Sequence, residues 1–224
     1  METDHRDNKW IVVRIDGKIA AVSTDYRMLA SISASLAKNQ EPKRVSRKEK
    51  SGREKPGKSS IFGEITATAV DLEEVWRLKQ VTAWDDLMLF GTEFQKRVWR
   101  KLWELTHEVE IPEPVGNDRQ EEIPEQLGLV SYSDFAELCQ NRAGVRAVAH
   151  AIGLNPVSVI IPCHLVIPKE SIDKINDIKT KAEATIFKGD DLCINSILSD
   201  SSIDFGEYAL GRKTKRELIL KELT

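Results

Sequence analysis

The tightest constraint on the fold lies between Ser131 and His164. Ser131 can cap a helix with Phe135, Leu138 and Cys139 on its inner side, because a hydroxyl before the first turn satisfies an orphan backbone N–H. A turn over residues 141–144 leads into a second helix, residues 145–152, closed by Gly153. Helix, short glycine-containing turn, helix is the spacing of a helix-turn-helix, and more commonly of a structural helical hairpin. Behind it comes a β-branched apolar run, residues 157–161, ending in Pro162-Cys163-His164. In an extended segment, neighbours point to opposite faces, so adjacency alone does not bring the thiol and imidazole together. Cys163 therefore reads either as a core cysteine, the commoner fate of that residue type, or as a nucleophile. The second reading needs a nearby base or cation, since the thiolate is the reactive species.

The rest of the chain supplies elements on both sides. Residues 10–22 alternate as two β-rich runs around Asp16-Gly17, a hairpin signal because this pair tolerates the positive φ angles of a tight turn. Met28, Leu29, Ile32 and Leu36 have helical spacing. Residues 40–60 are basic, with eight Lys/Arg against three Glu between 41 and 58, and read as a loop. That tract is either a solvated charge run or a nonspecific phosphate contact. A strand is expected over 61–70 and a short helix over 72–78. Thr92 looks like the cap of a helix with Phe94, Val98, Trp99, Leu102 and Leu105 on one face. Two loop-like inserts follow: 106–127, acidic and proline-containing, and 168–205, with a turn at Gly189-Asp190. A closing helix over 212–223 turns Leu218, Ile219 and Leu223 inward and its Lys/Arg outward.

With 224 residues the chain holds one large domain or two small ones. Its three cysteines, Cys139, Cys163 and Cys193, are too few for a disulfide framework and suit a reducing compartment. The four histidines make no zinc-ligand spacing with them, so no metal and no cofactor are expected. No apolar run reaches the roughly 18 residues of a membrane span, and the charged N-terminus does not read as a signal peptide. An intracellular, monomeric protein is expected, nuclear in a eukaryote and cytoplasmic in a prokaryote. The net charge of −3 does not argue against a nucleic-acid partner, since seven acidic residues sit within 107–126 alone.

Four blocks, in order, resemble the O6-alkylguanine-DNA alkyltransferases. Gly91-Thr92-Glu93-Phe94-Gln95 with Val98-Trp99 is similar to the family's Gly-Thr-x-Phe-Gln-x-x-Val-Trp helix. Ser131-Tyr132 and Arg146-Ala147-Val148 match the openings of its two DNA-docking helices. Asn155-Pro156 and Ile161-Pro162-Cys163-His164 resemble the active-site block, and Tyr208-Ala209-Leu210-Gly211 with the helix to Glu222 the closing one. The register is ungapped from Tyr132 to Cys163 and from Tyr208 to Glu222.

The resemblance implies an α+β protein. A small RNase H-like α/β domain would span 1–86, and a mainly helical, winged-helix-like domain carrying the helix-turn-helix would span 87–224. It implies direct repair of double-stranded DNA containing O6-alkylguanine, approached from the minor groove, with the base flipped out and its alkyl group moved to Cys163. His164 would take the thiol proton, Glu222 would orient His164, and Tyr132 would assist both flipping and departure of the purine. Arg146 would fill the vacated stack, with Ala147 and His150 on the same DNA-facing helix. Asn155, Val166, Tyr208 and Ala209 would form the pocket.

Three positions depart from the family pattern. Leu165 stands where an arginine follows Pro-Cys-His; a carboxylate partner retained without it would be left buried and unpaired, at about 3–5 kcal/mol. His150 replaces a small residue of the DNA-facing helix, and Leu210 replaces a glycine beside the pocket, which it is expected to narrow. The alternatives are a non-transferring alkyltransferase-like protein that binds alkylated DNA and recruits other factors, and a transcription regulator using the helix-turn-helix alone.

Overall fold

A computed structural model describes residues 9–25, 64–107, 128–185 and 197–223. The chain divides into two units, Met1–Phe90 and Gly91–Thr224. In the first, β1 (Trp10–Ile15) and β2 (Lys18–Ser23) form an antiparallel hairpin with Ile15 opposite Lys18. Asp16 and Gly17 turn it with φ of 50° and 79°, two successive positive angles that match the right-handed twist of the strands. β3 (Ile65–Val70) pairs antiparallel on the other side of β1, giving the order β2-β1-β3. Helix α1 (Leu72–Val81) follows, its first turn capped where Asp71 accepts from the Glu74 N–H at 2.8 Å. It runs one turn beyond the span read from its apolar spacing. The helix expected over 26–36 and the basic tract 40–60 lie outside the described residues.

The second unit begins with α2 (Glu93–Glu104), whose start is a reciprocal cap. Gln95 N–H donates to the Thr92 hydroxyl at 3.2 Å, and Thr92 N–H donates to Gln95 Oε1 at 2.8 Å. Val98, Trp99, Leu102 and Trp103 are buried, while Phe94 and Leu105 are only half-buried. The indole N–H of Trp99 donates to the Ala151 carbonyl at 2.8 Å, tying α2 to the helix-turn-helix. That motif consists of α3 (Tyr132–Leu138), a tight turn at Arg142–Gly144, and α4 (Val145–Gly153). Ser131 caps α3 by accepting from Asp134 N–H at 3.1 Å. Gly144 sits close under the Asn141 side chain, which a Cβ at this position would displace. α4 runs through Gly153 rather than closing before it. A short parallel ladder joins β4 (Val130–Ser131) to β5 (Val166–Ile167).

Three expectations need correction. Residues 157–161 do not form a strand; they bend around Asn155, with Val159 at φ 73°, and lead into a 3-10 turn, Cys163–Leu165. Much of the stretch 168–205 is not a loop-like excursion. It forms α5 (Lys169–Thr185), and Ile172, Ile175, Ile197, Leu198, Ile203 and Phe205 enter the core. In α6 (Arg212–Leu223), Lys215 does not face out but is fully buried. The whole is an α+β chain, and no helix among the described residues is long and apolar enough to cross a membrane. The insert over 108–127 and the turn at 189–190 lie outside the described residues.

Candidate active site

Asn155 organises the approach to Cys163. Its Oδ1 accepts from Val157 N–H at 3.0 Å, and its Nδ2 donates to the Ile161 carbonyl at 2.8 Å and to Cys163 Sγ at 3.1 Å. One side chain thus spans the bend and replaces the strand ladder that β-branched residues would otherwise favour. Cys163 is 5% exposed, at the floor of a cavity of about 310 Å³. Tyr132 from α3, Ala149, Ile152 and Gly153 from α4, and Glu207, Tyr208 and Ala209 wall that cavity, with Asn155 and Ser158 at its base. The Tyr208 hydroxyl lies 3.7 Å from Cys163 Sγ. On the inner side of the turn His164 is fully buried, its Nε2 3.0 Å from Glu222 Oε2 on α6.

The electrostatics follow from this enclosure. Burial pushes the Cys163 thiol above its ordinary pKa, opposed by the hydrogen bonds of Asn155 and Tyr208 and by the Lys215 ammonium. Burial, then the charge of a Cys163 thiolate, raises Tyr208 well above the usual phenol value and raises Tyr132 too. Both phenols therefore stay protonated as hydrogen-bond donors. Lys215 donates to the Val166 carbonyl at 2.7 Å and lies 5.7 Å from the centre of the Tyr132 ring. Burial pulls its pKa down to about 8, against the opposing charges of Cys163, Asp204 and Glu207.

The positions singled out in the sequence fall into three places. Cys163, Tyr132, Asn155, Tyr208 and Ala209 meet at the cavity, and His164 with Glu222 pairs behind it. Arg146, Ala147 and His150 share an exposed face of α4. Val166 is not among the cavity-lining residues; it is buried in β5, where its carbonyl receives Lys215. Leu210 is half-buried and likewise absent from the lining, so the expected narrowing has no counterpart. Leu165, 1% exposed, packs in the apolar cluster, and among the described residues no Asp or Glu is buried for an arginine to have neutralised. Lys215 and Ser158 were missed. The signal for Lys215 was its spacing, three residues before Leu218 and seven before Glu222 on one helix face. Among the described residues no group of three His, Cys, Asp or Glu could hold a metal ion.

The cavity thus holds a buried thiol bonded by an amide and a phenol, with a cation nearby and a His–Glu pair on the following residue, beside a helix-turn-helix. Comparison with known proteins shows what part of the chain is similar to. Residues 121–183 match the family model described as 6-O-methylguanine DNA methyltransferase, DNA binding domain, the same family that the four sequence blocks resemble. A probable methylated-DNA–protein-cysteine methyltransferase of Acanthamoeba polyphaga mimivirus is 38% identical over 86 residues, covering 38% of this chain and 45% of the relative. The inducible methylated-DNA–protein-cysteine methyltransferase of Bacillus subtilis is 40% identical over 79 residues, 35% of this chain and 34% of the relative. The chain thus spans less than half the length of these two curated relatives. Among solved structures, Mycobacterium tuberculosis OGT in complex with DNA is similar at 24% identity and a TM-score of 0.37, covering 68% of this chain and 63% of that one. O6-methylguanine-DNA methyltransferase from Pyrococcus kodakaraensis covers 94% and 89%, at 18% identity and a TM-score of 0.43.

Proposed function

We propose that this protein repairs DNA by direct reversal, moving the alkyl group of O6-alkylguanine to Cys163 in a single turnover. The observation that carries this reading is Cys163 at the floor of a cavity between the helix-turn-helix and Tyr208, with His164–Glu222 behind it. The exposed face of α4, with Arg146, Ala147 and His150, suits docking on double-stranded DNA from the minor groove. A flipped base costs a few kcal/mol of unstacking, and an arginine that stacks and hydrogen-bonds in its place offsets part of that. Tyr132 crowds the target phosphate. Residues 87–224 act as a winged-helix-like catalytic domain and residues 1–86 as an RNase H-like domain without catalytic residues. The protein acts as an intracellular monomer.

In the reaction, the Cys163 sulfur–carbon bond forms as the carbon–O6 bond breaks, with guanine leaving. The thiol proton passes through a water to His164, and Glu222 fixes the tautomer and stabilises the imidazolium. Tyr132, kept protonated by its surroundings, and the Ala209 N–H donate to N3 and O6 of the departing purine. The thioether on Cys163 has no leaving thiol, so each chain reacts once.

Incubation with duplex DNA carrying a labelled O6-methyl group tests the reading. One label per chain is expected on the Cys163 peptide, and none in Cys163→Ala. Tight lesion binding without label transfer would instead support the non-transferring alternative.

A further inference from the structure

Helix α6 presents two neighbouring inner faces. Lys215, Leu218 and Glu222 share one, being three, four and seven residues apart; the first two are fully buried and Glu222 meets His164. The other carries Arg216, Ile219 and Leu223, and it packs on α5 and on residues 197–205. Arg216 Nη1 donates to the carbonyls of Leu198 at 2.7 Å and Asp200 at 3.1 Å, and Nη2 donates to that of Ile203 at 2.6 Å. Its guanidinium carbon is 4.7 Å from the centre of the Phe205 ring. Ile219 belongs to the same apolar cluster as Ile172, Leu198 and Phe205, and so does Leu165, the residue after His164. α5 is tied to residues 197–205 by the Ser171 hydroxyl donating to the Asp204 carbonyl and by Lys174 donating to the Ser202 carbonyl at 2.8 Å.

Apolar contacts are non-directional and would let a helix slide or roll. A planar guanidinium bonded to three backbone carbonyls does not, because each N–H has a fixed direction. Glu222 meets His164 through a hydrogen bond, and the strength of such a bond falls steeply with distance and angle. The setting of α6 therefore decides whether the pair forms.

We propose that Arg216, α5 and residues 197–205 are a positioning device for Glu222, acting on His164 and Cys163 only by fixing α6. The proposal rests on the alkyl-transfer reading for its substrate, and its test separates the two. Full-length Arg216→Gln, Arg216→Lys, Glu222→Gln and the double variant Arg216→Gln/Glu222→Gln are compared at a temperature where all are folded. The readouts are iodoacetamide alkylation of the Cys163 peptide from about pH 6 to 10, bracketing the histidine and thiol titrations, and single-turnover transfer from labelled O6-methylguanine DNA. Arg216→Gln should slow transfer about 10-fold or more, as for other supporting-shell changes. It should also displace the alkylation profile in the same direction as Glu222→Gln and add nothing to that variant. Arg216→Lys, with a point charge in place of the fork, should fall between; should Arg216→Gln not fold, it carries the comparison. A lowered Tm with unchanged profile and transfer rate would overturn the proposal, as would losses that multiply in the double variant. If the wild type transfers no label, the transfer reading fails while the alkylation profiles still decide the role of Arg216.

Discussion

Lys215→Met isolates the contribution of a buried charge. The lysine is enclosed among Val166, Tyr132 and the Cys163 turn, with Asp204 and Glu207 as the nearest acidic influences. Its pKa falls from 10.5 to about 8, which at about 1.4 kcal/mol per tenfold change in proton affinity corresponds to roughly 3 kcal/mol. In the unfolded chain the lysine holds its proton up to its ordinary value; in the folded protein it gives it up near 8. Between those values the unfolded state binds more protons, so the lysine's contribution makes folding stability rise with pH. Below about pH 8 both states are protonated and the full cost of the buried charge is present. Methionine removes that cost but leaves the Val166 carbonyl without its donor, at about 1–3 kcal/mol. At about pH 7 the variant should therefore be up to about 2 kcal/mol more stable than the wild type, the cost removed less the bond lost. That advantage should shrink from about pH 8 upward and reverse before the ordinary lysine value of 10.5, as the charge cost fades and the lost bond remains. Cys163 and Tyr208 give slopes of opposite sign at higher pH in both proteins, because their folded-state pKa values are raised. Without the cation the thiol rises further, so Cys163 alkylation near neutral pH should slow. Denaturant titrations at a series of pH values measure the difference directly. Parallel stability curves for the two proteins over that window would refute the assignment of a buried, charged Lys215.

Asn155→Ala removes the donor to Cys163 Sγ and both backbone bonds across the bend. It should cost about 2–4 kcal/mol from the buried groups left unsatisfied and shift the Cys163 alkylation profile to higher pH; chemical denaturation and iodoacetamide kinetics measure the two. Leu165→Arg, which introduces the arginine of the family that the sequence blocks resemble, should destabilise the protein by several kcal/mol because it buries a cation among apolar side chains. A thermal melt showing equal or greater stability would contradict the packing argument.

The elements legible in the sequence are those fixed by local chemistry. Asp16-Gly17 dictates its turn, Thr92 with Gln95 dictates the start of α2, and Ser131 and Gly144 punctuate the helix-turn-helix. Tyr132, Asn155, Cys163 and Tyr208 are positions the sequence singles out and the fold gathers at one cavity. The run 157–161 misleads because β propensity is overridden by side-chain bonds from Asn155, which hold Val159 at a positive φ. The stretch 168–205 misleads because its polar composition masks Ile172 and Ile175, whose spacing of three is that of one helix face. Lys215 is hidden by the rule that lysines face water, which fails where a backbone carbonyl and an aromatic face receive the ammonium.

The four-residue ladder of β4 and β5 links the cap of α3 directly to the segment leaving the Cys163–His164 turn. An element that walls the cavity and the one that carries the thiol are thereby joined by main-chain bonds rather than by a hinge. Such a joint leaves little to rearrange on docking, so ordering costs at the site are already met before any encounter. Under the proposed alkyl transfer, discrimination would then rest with the ligand: the base would have to move, and every contact would be an immediate trial of whether it does.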